Sequence, residues 1–317
     1  MNHRTKVSII GAGAVGTATA YALLIKKVAG EVALYDVNKA KVEAEVLDLA
    51  HGSQFTNPSR IYGGDDLEVV RNSDVVVITA GAKQKPGQTR LELAGTNVEM
   101  LRQLMPNLVH LAPDAIFVLV TNPCDVLAYA AVQFSGLPAN RVFASGTVLD
   151  SSRLRWQLAE RLGVSTDSVH AMIVGEHGDS EFALWSEASI GPVPLAQWKI
   201  GGHGRVLAQD ELDQIATDVK NAAYKVIEGK GATNFAIGLS ASRIVEAILR
   251  DEGVVLPVSS VLQNYLGVSD VALSVPTLVN RNGAAQAIEV AMSPQERAKF
   301  EASVATLKAS IQHLGLS

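Results

Sequence analysis

Lys6-Val-Ser-Ile-Ile10-Gly11-Ala-Gly13-Ala-Val15-Gly16 decides the fold of this 317-residue chain. The first five residues are a β-rich run, and the glycines follow at G-x-G-x-x-G spacing. Val15, Ala18, Ala22 and Ile25 then repeat at helical period. A strand that turns through glycines into a helix is the phosphate-binding corner of a βαβ unit. Gly11 permits the tight turn, Gly13 lets backbone approach a pyrophosphate, and Gly16 lets helix and strand pack closely. The spacing alone is weak, because glycine turns are common. It is strengthened by Asp36, about 20 residues past Gly16, at the end of a second β-rich run, Glu31–Tyr35. A carboxylate there would bind the ribose hydroxyls of NAD and repel the 2′-phosphate of NADP. The plainer alternative is a structural turn and a surface aspartate.

The same stretch invites a misreading. Arg4 and Lys6 precede an uncharged run from Val7 to Ile25, which has the look of an export signal or a membrane helix. The glycines argue against it, since each costs about 1 kcal/mol relative to Ala inside a helix. Strand, turn and helix is the better reading.

Working outward, Asp74–Thr79 and Ala115–Val120 are further strand candidates, with continuous apolar runs that suit parallel strands covered on both faces. Strands alternating with helices predict an α/β fold with a Rossmann-type doubly wound parallel sheet over residues 1–146. From 147 to 317 the pattern becomes a mixed α/β unit, expected to carry the substrate. Its β-rich runs are Val169–Val174, Val254–Val261 and Val271–Val279. Leu212, Ile215, Val219, Ala222 and Val226 mark one amphipathic helix. Phe300, Val304, Leu307, Ile311 and Leu314 mark a last one, opened by the capping box Ser293-Pro-Gln-Glu296. The cleft between the two units is where a site is expected.

With 27 basic against 32 acidic residues, a net charge of −5 and no basic block, nucleic acid and anionic membrane are poor partners. The single cysteine, Cys124, excludes an internal disulfide and a multi-cysteine metal cluster, and suits a reducing cytoplasm. No metal ligand set is expected.

Chemistry concentrates in the second unit. In Val174-Gly-Glu-His177-Gly-Asp-Ser180 a histidine flanked by glycines sits on a tight, accessible turn. Upstream, Thr147-Val-Leu-Asp150-Ser-Ser-Arg153 begins a helix. Asp150 could be merely the acid of a capping box begun by Thr147. It also shares a helix face with Arg153, so that a carboxylate beside a guanidinium could orient a histidine and grip an anionic substrate together.

These segments, with Ala80-Gly-Ala-Lys-Gln84-Lys-Pro-Gly-Gln-Thr-Arg90 and Val120-Thr-Asn122-Pro123, resemble the L-lactate/malate dehydrogenase family over essentially the whole chain. The resemblance implies an NAD-dependent oxidoreductase. His177 would exchange a proton with the substrate oxygen, its ordinary pKa of about 6.5 suiting transfer in both directions near neutrality. Asp150 would orient the imidazole, and Arg153 would hold the substrate carboxylate through paired hydrogen bonds. Arg90, at the end of the Gly81–Thr89 loop, would polarise the carbonyl, the loop closing as a lid. Asn122 would anchor substrate and cofactor, though Asn-Pro is also a turn. Thr233 would line the substrate pocket, with a helix N-cap as its plainer role. Gly11, Gly13, Val15, Gly16, Asp36 and Asn122 would make the cofactor site.

At Gln84 the malate enzymes of the family carry Arg, which pairs with a second carboxylate. A neutral Gln84 therefore implies pyruvate and lactate, with malate as the alternative and the flanking Lys83 and Lys85 a reservation. Two other classes stay open, a non-catalytic NAD-binding regulator and an NAD-dependent glycosidase. Finally, Arg155 lies two helical steps beyond Arg153, about 200° around the axis and away from the site. From spacing alone Arg155 and His170 are a surface arginine and a strand histidine. In many bacterial members of the family, residues at these positions bind fructose 1,6-bisphosphate across a subunit interface. The resemblance thus implies an effector site and a homo-oligomer, a tetramer in preference to the dimer that the family also forms.

Overall fold

The computed structural model describes residues 4–56, 59–82 and 90–316, without the side chains of Arg90 and Leu91. The first half runs β1 (Lys6–Ile10), α1 (Ala14–Lys26), β2 (Glu31–Tyr35), α2 (Lys39–His51), β3 (Arg60–Gly64), β4 (Val75–Ile78), α3 (Arg90–Leu111), β5 (Ile116–Leu119), α4 (Cys124–Ser135) and β6 (Val142–Ala144). The second half opens with α5 (Val148–Leu162), β7 (Val169–His170), β8 (Ile173–Val174), β9 (Phe182–Ala183), β10 (Ser189–Ile190) and β11 (Val193–Pro194). It continues with α6 (Gln209–Lys230), α7 (Phe235–Leu249), β12 (Val254–Leu256), β13 (Ser259–Val261), β14 (Ala272–Ser274), β15 (Thr277–Asn280), β16 (Gly283–Ala287) and α8 (Pro294–His313).

Strands β3-β2-β1-β4-β5-β6 lie side by side, all parallel. This order reverses direction between β1 and β4, the crevice where doubly wound sheets bind ligands. Every residue of β4 and β5 is buried, which explains their unbroken apolar sequence.

Two sequence readings change on contact with tertiary structure. The stripe Val15, Ala18, Ala22, Ile25 coincides only in part with the buried face of α1. Ala22 is buried with Gly16, Thr19, Ala20, Leu23 and Leu24, Val15 and Ala18 are half-buried, and Ile25 is 52% exposed. The reason is close packing through small residues. A Cβ on Gly16 would lie 1.9 Å from the Gly11 carbonyl oxygen. On another side Ala18 meets α7 so closely that a Cβ on Gly238 would lie 2.7 Å from its backbone.

The second change concerns strands. Val254–Val261 and Val271–Val279 are each split at a proline, Pro257 and Pro276, which cannot donate to a ladder. β13 continues the large sheet antiparallel to β6 and β14 pairs antiparallel to β13 beyond it, while β12 and β15 form a separate sheet with β16. Val169–Val174 likewise divides, β7 pairing with β10 and β8 with β9. On α6 only Ile215 and Val219 of the predicted stripe are fully buried, and Val226 is 39% exposed where the helix runs beyond its support on α5. α8 follows its sequence closely. Ser293 and Glu296 close a reciprocal capping box, and Phe300, Val304, Leu307 and Ile311 are buried. No described helix is long and apolar enough to cross a membrane.

Candidate active site

At the glycine corner, Gly11 has φ +104°, and a Cβ on it would lie 2.8 Å from the Ala80 nitrogen. Gly11 and Gly16 are therefore required by the protein's own packing. Gly13 is different, because a Cβ there would meet nothing within 4 Å. It caps α1 without any side-chain hydrogen bond, and the first turn carries no acidic residue. The helix dipole and its leading N–H groups thus remain available for an outside anion. Val15 is half-buried at the helix start. Asp36, at the end of β2, accepts from Ala12 N at 2.8 Å through Oδ2 and from Asn38 N at 2.9 Å through Oδ1. Its carboxylate is held rigidly beside the turn.

The chemical residues converge from α5 and from the segment between β8 and β9. Asp150, 1% exposed, accepts from Nη1 of Arg153 at 2.6 Å and holds Nδ1 of His177 at 2.7 Å. The capping-box reading of Asp150 does not survive. Thr147 makes no cap bond and instead donates its hydroxyl to the Ile173 carbonyl at 2.6 Å. With both carboxylate oxygens engaged by cationic partners, Asp150 is held below the usual carboxylate range. Burial pushes its pKa up, and His177 and Arg153 more than offset that.

His177 departs from its ordinary pKa. Burial lowers it, but the Asp150 carboxylate prevails, with Asp125 and Glu181 adding, and the net is a rise to about 9. Its resting form near neutrality is the imidazolium. The segment around it is fixed by side chains that sequence reading did not single out. Asp125 accepts from His177 N at 2.8 Å, and Ser303 on α8 accepts from Glu176 N at 2.7 Å. Glu181 is also buried, its pKa raised to about 8 by desolvation and by the Asp150 charge. Asp150, His177 and Glu181 bring ligand-type atoms within 4.8 Å of one another. Both Asp150 oxygens already serve His177 and Arg153, so the grouping serves an imidazole rather than a metal.

Asn122 lies at the bend entering α4, joined to Pro123 by a cis peptide bond. Its carbonyl accepts from Nδ2 of buried Asn97 at 2.9 Å, while Asn97 Oδ1 takes Ala82 N at 2.8 Å. Asn97 thus ties the root of the Gly81–Thr89 loop to Asn122. Thr233 is half-buried and precedes the N-cap of α7, which is Asn234, a residue that makes no side-chain cap bond. Gln84 lies outside the described residues. Arg90 opens α3, but its side chain is outside them too. Arg155 turns away from Asp150 and donates from Nε to the Ala171 carbonyl at 2.9 Å, next to exposed His170 on β7.

One chain thus carries a nucleotide corner on the switch point and a carboxylate-held imidazole beside an arginine. Residues 5–144 match the family model described as lactate/malate dehydrogenase, NAD binding domain, and residues 147–315 match its α/β C-terminal domain. The chain belongs to the lactate/malate dehydrogenase family. It is 50% identical over 312 residues to an L-lactate dehydrogenase of Bifidobacterium animalis subsp. lactis, covering 98% of this chain and 97% of that one. An L-lactate dehydrogenase of Synechococcus sp. is 45% identical over 313 residues, covering 98% and 99%. Among solved structures, the ligand-bound minor L-lactate dehydrogenase of Enterococcus mundtii superposes with a TM-score of 0.93 at 43% identity, covering 98% of each chain. A lactate dehydrogenase from a Medee basin deep-sea metagenome library gives 0.94 at 34%, covering 99% and 100%. The family makes the chain an NAD-dependent oxidoreductase, and the open, uncapped corner at Gly13 beside the fixed Asp36 carboxylate fits NAD.

Asp125, Glu181, Asn97 and Ser303 escaped the sequence reading because their partners lie far away in the chain. An acid at the start of a helix, as Asp125 is, reads as a partner for the helix dipole. A serine in the last helix carries no signal at all.

Proposed function

We propose that the chain is an L-lactate dehydrogenase that reduces pyruvate to L-lactate and runs in reverse. The observation that carries this reading is the chain Arg153–Asp150–His177, with contacts of 2.6 and 2.7 Å. NADH, when bound, supplies the hydride that reaches the carbonyl carbon. His177 gives a proton from Nε2, the ring nitrogen opposite the one held by Asp150, to the carbonyl oxygen. Asp150 keeps the ring oriented and favours its charged form, so a donor is ready before the substrate arrives. Arg153 spends one nitrogen on Asp150, and the remainder of its planar fork takes the substrate carboxylate. Arg90 stabilises the developing alkoxide, Asn122 and Thr233 bound the pocket, and the loop bearing Gln84 closes over it and excludes water. Asp36 takes the ribose hydroxyls and the Gly11–Gly16 turn takes the pyrophosphate. The test is enzymatic formation of L-lactate from pyruvate and NADH by the purified protein. Activity on a phosphoglycoside, or NAD binding with no turnover of any 2-oxo acid, would replace the proposal by one of its rivals.

The malate alternative loses ground because Gln84 offers no charge to a second carboxylate. Regulation by fructose 1,6-bisphosphate is part of the proposal, in a tetramer working in the reducing cytoplasm. It is favoured by Arg155, a half-buried guanidinium with no carboxylate partner among the described residues, lying beside exposed His170. Two copies of each cation across a two-fold axis would face two phosphates.

A further inference from the structure

Helices α1 and α7 belong to different halves of the chain, yet they pack against each other along their length. A Cβ on Gly238 of α7 would lie 2.7 Å from the carbonyl carbon of Ala18 on α1, 2.8 Å from its oxygen and 2.9 Å from its Cβ. Further along both helices, Lys26 donates to the buried Glu246 carboxylate, which Arg250 also engages at 2.6 Å. Lys26 and Glu246 are 220 residues apart in the chain, and so are Ala18 and Gly238. An equal offset at two points about 12 Å apart along a helix means that the axes run side by side in the same direction.

This register brings two parts of the site level. α1 starts after its N-cap Gly13, in the glycine turn, and α7 starts after its N-cap Asn234, which follows Thr233. The two N-caps are 221 residues apart, so they depart from the register of the seam by one residue, about 1.5 Å. The turn that takes the cofactor and the residue that bounds the substrate pocket thus sit at the same end of one helix pair. How far apart they stand depends on how closely the helices approach, and Gly238 lies in the first turn of α7.

The conformation of α7 does not itself ask for glycine, which costs about 1 kcal/mol relative to Ala inside a helix. The close approach does. The far end of α7 is pinned, because Ile244, Val245 and Ile248 share a buried core with Leu23 and Leu24 of α1 and the Glu246 ion pairs lie beside them. The near end is freer, with Phe235 70% and Leu239 55% exposed. Bulk added at 238 therefore tilts the start of α7 away from α1 instead of moving the whole helix.

We propose that Gly238 is a positioning residue for hydride transfer, holding the α7 wall of the substrate pocket at glycine distance from the helix that carries the cofactor turn. The inference rests on the pyruvate-reducing reading given above. A displacement of about 1 Å between reacting groups is enough to slow a reaction by roughly 10²-fold, so the seam controls the chemistry without touching substrate.

The test is a single turnover of NADH with saturating pyruvate in Gly238→Ala. The amplitude counts the active molecules, and the rate constant reads the transfer. The rate constant falls by roughly 10- to 100-fold with the amplitude retained, and slows further with NADH deuterated at the transferred position. A smaller amplitude at the wild-type rate constant would make Gly238 a residue of stability alone and overturn the proposal. Lys26→Met, which cuts the far end of the seam, lowers Tm and keeps the wild-type rate constant. An equal slowing there would assign the effect to general loosening and also overturn it. Should Gly238→Ala not fold, Ala18→Ser adds one atom to the same contact from α1 and is read in the same way. A wild type that does not turn over pyruvate removes the underlying reading. A wild type that does, beside a variant with an unchanged rate constant, removes this inference alone.

Discussion

Asp150 and His177, 27 residues apart in the chain, meet with Oδ2 2.7 Å from Nδ1. One nitrogen of the ring is thereby committed, and the proton that can move is on the other. The contact also sets the ring's charge, since Asp150 outweighs the desolvation that would otherwise favour the neutral form.

A pH profile follows from that balance. Pyruvate reduction needs His177 protonated, so kcat/KM is level below the His177 pKa of about 9 in the free protein and falls tenfold per pH unit above it. Lactate oxidation needs the neutral ring, so its kcat/KM rises with pH and levels off above the same value. Profiles that move in the same direction would show that one group does not serve both reactions.

Removing either partner should separate chemistry from cofactor binding. His177→Asn lowers kcat for pyruvate reduction by roughly 10²- to 10⁴-fold, the usual contribution of a positioned acid. Asp150→Asn slows both directions and shifts the alkaline limb to lower pH, because the counter-charge of the imidazolium is gone. NADH affinity, read from fluorescence titration, changes little in either variant. Turnover within a few-fold of wild type in His177→Asn would remove it from the mechanism.

Cofactor choice depends on one carboxylate held by two backbone N–H groups, at Ala12 and Asn38. Asp36→Ser loses charge-assisted bonds to the ribose, worth about 1.5–3 kcal/mol, so NADH binding weakens by roughly 10- to 100-fold. The preference over NADPH narrows at the same time. Equal efficiency of the wild type with NADH and NADPH would contradict the assignment.

How far these features could be read in advance varied with their physical origin. The bounds of β1 and β2 coincide with their β-rich runs, since glycines or turn residues delimit each. The apolar stripe of α1 marks its buried face only in part, because the helix packs through Gly16 and Ala18, where closeness of approach matters more than hydrophobicity. Proline splitting at Pro257 and Pro276 was present in the sequence, but the sheet that each half would join was not. In the site, Asp150 and Arg153 share a helix turn and could be paired from spacing. The Asp125–His177 bond spans 52 residues and exists only because α4 and the β8–β9 segment meet in space.

The effector proposal has its own test. Fructose 1,6-bisphosphate lowers the pyruvate concentration for half-saturation. The response disappears in Arg155→Gln, while the rate at saturating pyruvate is retained. Superimposable wild-type curves with and without the bisphosphate would dispose of the site, and a response surviving in Arg155→Gln would place it elsewhere.

The most direct test of the account is the ratio of kcat/KM for pyruvate to that for oxaloacetate, measured by NADH oxidation in the wild type and in Gln84→Arg. A neutral residue at 84 gives the wild type a clear preference for pyruvate. The arginine can pair with the second carboxylate inside a closed, desolvated loop, and moves the ratio towards oxaloacetate by roughly 10²-fold or more. A wild type that prefers oxaloacetate would make this chain a malate dehydrogenase and contradict the central claim.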